Sequence, residues 1–526
     1  MISSTSTADE WSQPTSPSAG LARNANIVGL LYFVLCAVSV VPFIVVAYPP
    51  IVDFASHAAR LNLACNQSDS LVAAMYEYRL GIIPDLAIDL ANIPLCGLVG
   101  SAVVLKMVTA VSLLIIYFSG WLVQRKLFGH ANAFLLLLPA IAFNLVTTTG
   151  YINFLAGVAI SCLMVAVAIG RERDFKALLL LCNVGGLIVF FCHLFALAFV
   201  MVFFFGLMLR NAGINLRGLS IACLRTCALF AIPLMLLVLI PRDGQQLVVD
   251  YDGKFRVLIA LFLAQHASIG LFGLVLIFPL YVALKKRIVE FHALFRIPIA
   301  ALGLYILLVP SEIKTAVDVD SRTVVALAYL GLAAFRPVER EREVTLAIGI
   351  LASAAAAFQI WATISIWQPF SRQVEEFRNA VSILPPEVKV LSVGNDSGPN
   401  LGAFVSAYSH IGSYATIDRR IFNPLEFTGV GMQPLAVKAR FAPYGTPSGG
   451  PFSPVIANRL ATPTPSLEQK ARKLQADFAL RWPQRFDYVV YYHFGRPKNF
   501  NPAVLREVRA GSFFSIYKIN LQPRAS

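Results

Sequence analysis

A polytopic α-helical membrane protein carrying a C-terminal extracytoplasmic α/β domain is the fold class this sequence predicts, and three observations predict it. Of the 526 residues 57% are hydrophobic and only 14% charged, against roughly 25% charged in ordinary soluble domains, and the mean hydropathy is +0.69. Apolar runs of about 19 residues, enough to cross a hydrocarbon layer about 30 Å thick, recur between residues 27 and 366. Beyond Trp367 polar residues return, Gly and Pro multiply, and short strand-like runs alternate with helical ones.

Residues 1–26 are rich in Ser, Thr and Pro and show no packing periodicity, which reads as a disordered cytoplasmic tail. No A-x-A-like cleavage site follows the first apolar run, so that run reads as a retained helix. Spans are expected near 27–48, 98–123, 131–147, 150–170, 176–192, 194–210, 219–240, 257–284, 294–310, 323–336 and 344–366, about eleven in all. Only His193 parts the fifth from the sixth, and 323–336 is short for a bilayer. Lys and Arg accumulate in cytoplasmic loops, and an N-terminus-in arrangement puts sixteen of them inside against seven in the opposite short loops. An odd number of spans then leaves the C-terminus outside.

The segment 367–526 reads as an outer α/β domain. Its strand-like runs are 389–393, 486–494 and 513–519, its helical stretches 371–384 and 466–480, and nineteen Lys and Arg stand against ten acids. Six of the eight cysteines fall in spans, at 36, 162, 182, 192, 223 and 227. The other two, Cys65 and Cys96, share the first outer loop, 49–97, where a disulfide is open to them.

That loop is the longest break between spans and carries the densest set of ionisable groups. In YPPIVDFASHAARLN, Asp53, His57 and Arg60 stand at i, i+4 and i+7, one stripe of a helix. Glycosyl transfer needs a carboxylate to take the acceptor's proton and a basic group to steady a departing phosphate, and this stripe supplies both. Asp53 reads equally well as a helix N-cap after Pro49 and Pro50. Asp85 and Asp89 are spaced i, i+4 after Pro84, where capping competes with substrate or divalent-metal binding.

Other polar groups surface on the same side. They are His193 in FFCHLFALA, the run from Asn144 to Asn153 in NLVTTTGYINF, Lys106 about two turns into the second span, and His266 in the eighth. Lys314, Asp318, Asp320 and Arg322 precede the tenth span, where a guanidinium fork suits a phosphate and an Arg322 to Asp318 surface pair is the plain alternative. In the outer domain the candidates are His410, Arg419, Arg420 and the aromatic run from Tyr488 to Phe494. The sequence holds no P-loop, Rossmann glycine fingerprint, HExxH or G-x-S-x-G in a strand-turn-helix setting, so neither nucleotide hydrolysis nor zinc peptidase chemistry is expected. The basic balance calls for no nucleic acid, since cytoplasmic loops facing anionic lipid account for much of it.

In chain order PPIVDFASHAARL, GYINFLAGVAI, FFCHLFALA and DVDSRTVVALAYL resemble the GT-C superfamily of bacterial polytopic glycosyltransferases. The outer segment opening LPPEVKVLSVGND and closing LREVRAGSFFSIYKI looks like the periplasmic domains some of them carry, and the likeness runs along most of 27–520. The resemblance implies a polyprenyl-phosphate-linked sugar as donor, membrane lipid around it, reaction at the outer face of the inner membrane with an extracytoplasmic acceptor, and a first-loop aspartate as general base. Carried onto this chain, the base is Asp53. Many members show an acidic pair in that loop, whereas here Asp53 stands with His57 nearby, which leaves a divalent metal open; no nucleotide is expected. The candidate set is therefore Asp53 and His57 for catalysis, with Arg60, Asp85, Asp89, Lys106, His193, His266 and Arg322 for substrate. A transporter or flippase of a lipid-linked solute predicts internal repeats and midplane charges, which are not evident. A polysaccharide ligase or polymerase predicts long outer loops late in the chain.

Overall fold

The computed structural model describes residues 19–240, 249–258, 260–261, 281–283, 285–313, 316–338, 341–394, 406–429, 433–445, 451–473, 476–494, 500 and 504–520. His266, Lys314 and most of the expected span 257–284 lie outside the described residues.

The first span is α1 (Ala19–Ser39) continued by the short α2 (Val41–Val45), with Pro42 inside the turn that offsets them. The first outer loop then forms α3 (Phe54–Cys65), α4 (Ser70–Met75), β1 (Tyr76–Tyr78) and α5 (Ala87–Asn92). The next long helix is α6 (Ser101–Phe128), after which the chain returns through the broken pieces α7 (Leu137–Ala140) and α8 (Leu145–Thr149). Five helices follow: α9 (Ile152–Ala168), α10 (Phe175–Cys192), α11 (Leu194–Ala212) and the bent pair α12 (Leu216–Leu229) and α13 (Ala231–Leu239). The bend is 71°, beside Pro233, which has no N–H to continue the ladder. The last membrane helices are α14 (Ala293–Leu308), α15 (Val319–Ala333) and α16 (Glu341–Val381). Two short antiparallel ladders join the loops around them, β2 (Val249–Asp250) with β4 (Glu312–Ile313) and β3 (Val289–Phe291) with β5 (Phe335–Pro337).

By length and apolarity alone five described helices cross a membrane, or six if the bent pair is one span, and 133–149, 152–168 and 293–308 are shorter apolar helices. Eleven full-length spans are therefore not what the described residues present. Polar breaks shorten the pieces, as at Asn144, whose side chain accepts from Val146 N, and Gly150, which ends α8.

The helices run back and forth between two ends. At one end Gln124 bonds Asn132, Lys126 reaches the carbonyls of Val167 and Ile169, Asn211 reaches that of Glu172, and Arg336 pairs with Glu290 at 2.7 Å. At the other, Leu86 N donates to Phe191 O, Tyr151 bonds Asp318 and Arg322 faces His193. Between them the core packs Phe43 against Phe143 and Trp367. Leu30, Ile44, Leu180, Val238 and Leu307 stay exposed, as a lipid-facing perimeter requires.

Helix α16 holds 41 residues, about 60 Å at 1.5 Å per residue, twice a bilayer's hydrocarbon thickness. Its apolar tail, Phe370, Val374, Phe377 and Val381, enters the core of the outer domain beside Tyr408, Tyr414, Phe513 and Phe514. The expected helix at 371–384 is thus this continuation, and the expected domain boundary at 366–367 falls inside one helix. The domain's sheet has strands β6 (Val390–Gly394), β8 (Tyr488–Tyr492), β9 (Leu505–Ala510) and β10 (Phe514–Ile519) in the order β6-β8-β10-β9, with β6 parallel to β8 and β10 antiparallel to both neighbours. Helix α17 (Ser413–Arg419), strand β7 (Leu435–Val437), α18 (Pro454–Ala461) and α19 (Pro465–Lys473) fill the crossover.

The outer domain and the first outer loop are built together. Strand β7 pairs antiparallel with β1, Tyr76 opposite Val437. Cys65 and Cys96 are joined by a disulfide with Cα atoms 5.4 Å apart, closing a separation of 31 residues. Replacing Cys65 by Ser is expected to cost roughly 3–4 kcal/mol in the chain-entropy account. The check is a lower thermal midpoint of the detergent-solubilised protein, together with loss of the mobility difference between reduced and non-reduced samples.

Candidate active site

Asp53 directly precedes α3 with φ −83° and ψ −1°, and its side chain makes no capping hydrogen bond. Neither Asp53 nor Asp85 caps a helix, which removes the plain reading of both. Asp85 has φ +63°, two residues before the start of α5. What holds Asp53 is the hairpin across from it: Val52 N donates to Thr148 O at 3.2 Å and Asp53 N to Thr149 O at 3.0 Å. This close approach depends on Gly150, at φ +95°, where a Cβ would stand 2.8 Å from the Ile51 side chain and 3.1 Å from Asp53 N. The Asp53 carboxyl is thereby turned into the protein. Burial pushes its pKa up to about 7, with Arg322 pulling the other way.

Arg322 lies in the first turn of α15, 5% exposed. Its guanidinium stacks over the Tyr151 ring, 3.2 Å from the centroid. The expected surface pair with Asp318 does not form. Both residues are buried, and Asp318 instead pairs with Arg256 at 2.9 Å and accepts from Tyr151 Oη at 3.0 Å. Asp320 likewise takes Lys254 at 3.1 Å and Ser311 at 2.8 Å. Among the described residues no carboxylate lies within ion-pair distance of Arg322, and its Nε is buried without a partner.

His193 breaks the chain between α10 and α11 and meets Arg322. Its Nδ1 accepts from Phe195 N at 3.1 Å, capping α11, so the neutral ring carries its proton on Nε2. That Nε2 stands 3.3 Å from Arg322 Nη1 and 3.8 Å from Asp85 Oδ1. With Nδ1 occupied, Nε2 and Arg322 Nη1 are both donors, so their 3.3 Å approach is a contact between like groups and not a hydrogen bond. Asp85 Oδ1 is buried without a hydrogen bond, and burial raises the Asp85 pKa to about 7.

The remaining candidates sort by their partners. Arg60 and Asp89, each fully buried, pair at 2.8 Å and tie α3 to α5, and the Arg60 fork also donates to Gln433 of the outer domain. Arg60 is thus neutralised in place. His57, one turn along α3 from Asp53, packs its ring edge-on to Phe427, with Nδ1 buried and unpartnered, and burial holds its pKa well below the ordinary value. Lys106 does not join the group: its amine donates to Val46 O at 2.9 Å, serving a free carbonyl at the end of the first span. No three His, Cys, Asp or Glu side chains among the described residues stand together as a metal-holding group.

The outer domain adds a residue that no periodicity singles out. His410 reaches back so that Nε2 lies 3.7 Å from Asp53 Oδ1, and its ring also packs edge-on to Phe427 at 5.2 Å. Asp53, His410, His57, Arg322, His193 and Asp85 thus form one polar layer at the outer-domain end of the bundle, with His410, His57 and Arg322 buried and Asp53, His193 and Asp85 partly exposed. Tyr151, whose hairpin is polar in sequence, completes it as the shelf under Arg322.

No family model and no curated protein matches the chain. Among solved structures the chain is similar to ArnT from Cupriavidus metallidurans in the apo state, with a TM-score of 0.50 at 11% identity over 95% of this chain and 98% of that one. The structure of the same protein bound to undecaprenyl phosphate aligns over the same shares with a TM-score of 0.45 and 10% identity. At this identity the likeness is one of fold, extending over nearly the whole of both chains.

Proposed function

We propose that this protein is an inner-membrane glycosyltransferase, N-terminus in and outer domain in the periplasm, that moves a sugar from a polyprenyl phosphate to an extracytoplasmic acceptor. The observation that carries the reading is the pair of adjoining donors on Arg322 and His193, lacking an acceptor between them, in the same polar layer as an uncapped Asp53. A lipid phosphate supplies that acceptor while its tail lies among the helices. In the reaction an acceptor hydroxyl attacks the anomeric carbon, and Asp53 takes the hydroxyl proton. The bond from that carbon to the phosphate oxygen breaks, and the electron pair leaves with the phosphate, whose growing charge Arg322 and His193 stabilise. Asp85 borders the phosphate place beside His193, the Arg60–Asp89 pair braces α3, and His57 lines the approach to Asp53. The fold shared with ArnT supports this class of chemistry at a general level.

Asp53→Asn is expected to lower transfer at least ~100-fold, read as polyprenyl phosphate released from a polyprenyl-phosphate sugar by the purified protein. Full activity in this variant would refute the assignment. Because only ionised Asp53 accepts the proton, kcat of the wild type is expected to rise with pH through about 7 and level off above it.

Stability moves in the opposite direction. The folded pKa lies above the unfolded value of about 3.9, so Asp53 contributes stability that is fully present below that value and lost as pH rises through about 7. The Asp53→Asn variant has no carboxyl to ionise at this position, and denaturation midpoints measured between about pH 4 and 8 are expected to fall less steeply for it than for the wild type. Asp85 and Glu426, also raised to about 7, keep the remaining slope.

Arg322→Gln is expected to weaken binding of an isoprenoid monophosphate at least ~10-fold, measured as the loss of its thermal stabilisation of the protein. An unchanged shift would place the phosphate elsewhere.

A further inference from the structure

We propose that the outer domain supplies a positioning residue, His410, which holds the Asp53 carboxylate toward the mouth of the bundle, so that the domain is a working part of the site. The inference rests on the glycosyltransferase reading and deepens it.

The docking that brings His410 to Asp53 is extensive and independent of that contact. Strand β7 pairs with β1, Arg420 pairs with Asp69, and Lys438 meets Glu77 at 3.4 Å. A buried hydroxyl chain runs across the seam. Ser56, three residues along α3 from Asp53, stands 3.3 Å from Ser413 Oγ, which donates to Glu426 at 3.1 Å, and Glu426 also takes Thr416 at 2.8 Å and Asn423 at 3.0 Å. His410 itself is held at its backbone, where its carbonyl accepts from Ser413 N at 3.0 Å, and at its ring by Phe427, which touches His57 with the same ring. A surface histidine has no need of such a setting.

The groups facing Asp53 are few: Arg322 from α15, Tyr151 from the hairpin, His57 from α3 and His410 from the domain. Burial decides what His410 does. It lowers the pKa of His410 and raises that of Asp53, so a proton taken by Asp53 stays there and does not pass to His410. A neutral imidazole whose Nε2 carries hydrogen is instead a donor to one carboxylate oxygen, which leaves the other for the acceptor hydroxyl. The 3.7 Å separation is longer than a hydrogen bond and tightens when substrate fixes the carboxylate, as contacts in unliganded sites commonly do.

The test uses the full-length protein. His410→Ala is expected to lower kcat at least ~10-fold with KM for the polyprenyl-phosphate sugar within about twofold, and to move the midpoint of the kcat–pH profile. His410→Gln, whose amide donor reaches the place of Nε2, is expected to restore part of kcat, and His410→Asn, which reaches only the place of Nδ1, to restore less. The Gln–Asn comparison also decides the matter should the Ala variant fail to fold. Equal activity of Gln and Asn, or wild-type kcat in Ala, overturns the proposal.

A stability cycle of Asp53→Asn, His410→Gln and the double variant, read between about pH 5 and 8.5, needs no turnover. Coupling that appears as Asp53 ionises supports the contact; additivity at every pH overturns it. Coupling in a protein whose wild type transfers no sugar retains the contact and sinks the transferase reading instead.

Discussion

Two backbone hydrogen bonds, from Val52 and Asp53 to the carbonyls of Thr148 and Thr149, fix where the chemistry can happen. They strap the start of the first outer loop onto a hairpin of the bundle, and they form only because Gly150 has no side chain to fend off Ile51 and Asp53. Once strapped, Asp53 cannot turn its carboxyl outward to cap α3. The same hairpin carries Tyr151, on whose ring Arg322 lies. One turn of chain therefore places both the acid and the shelf under the cation.

Charge balance across this layer separates scaffold from site. Arg60 is paired with Asp89, Arg256 with Asp318, and Lys254 with Asp320. These pairs are structural: removing one partner of a buried pair typically costs about 3–5 kcal/mol because the other charge is stranded. Arg322 has no such partner among the described residues, although it is more enclosed than Arg256 or Lys254. In the proposed reaction this fourth cation, facing a neutral donor, is the one left to meet the lipid phosphate.

The sequence was informative where the physics is local. Hydropathy placed α9, α10, α11 and α14 within a few residues, the strands at 389–393 and 513–519 fall on β6 and β10, and the first loop was marked by its density of charge. The spacing of Asp53, His57 and Arg60 correctly put them on one helical face, yet that face does not make them equivalent: Arg60 lies a turn beyond His57 and finds Asp89. Which acid meets which base is set by contacts between segments far apart in the chain, such as Arg322 with His193 or His410 with Asp53, and no periodicity encodes those. The continuous α16 was hidden for a related reason, since a change from lipid to soluble surroundings alters composition without breaking the helix.

That continuity has a mechanical consequence. A soluble domain on a flexible linker holds no side chain in a fixed relation to an acid at the mouth of a helix bundle. Here the helix that crosses the membrane is also the helix that packs Phe370, Phe377 and Val381 into the domain core, and Arg378 on it bonds both Asp418 and Tyr48. Tyr48 stands five residues before Asp53. The domain, the end of the first span and the last membrane helix are therefore fastened at one point, and small rotations of the domain about α16 translate directly into the separation of His410 from Asp53. Geometry at the acid is thus set from both sides of the membrane surface, by the hairpin below and by the domain above.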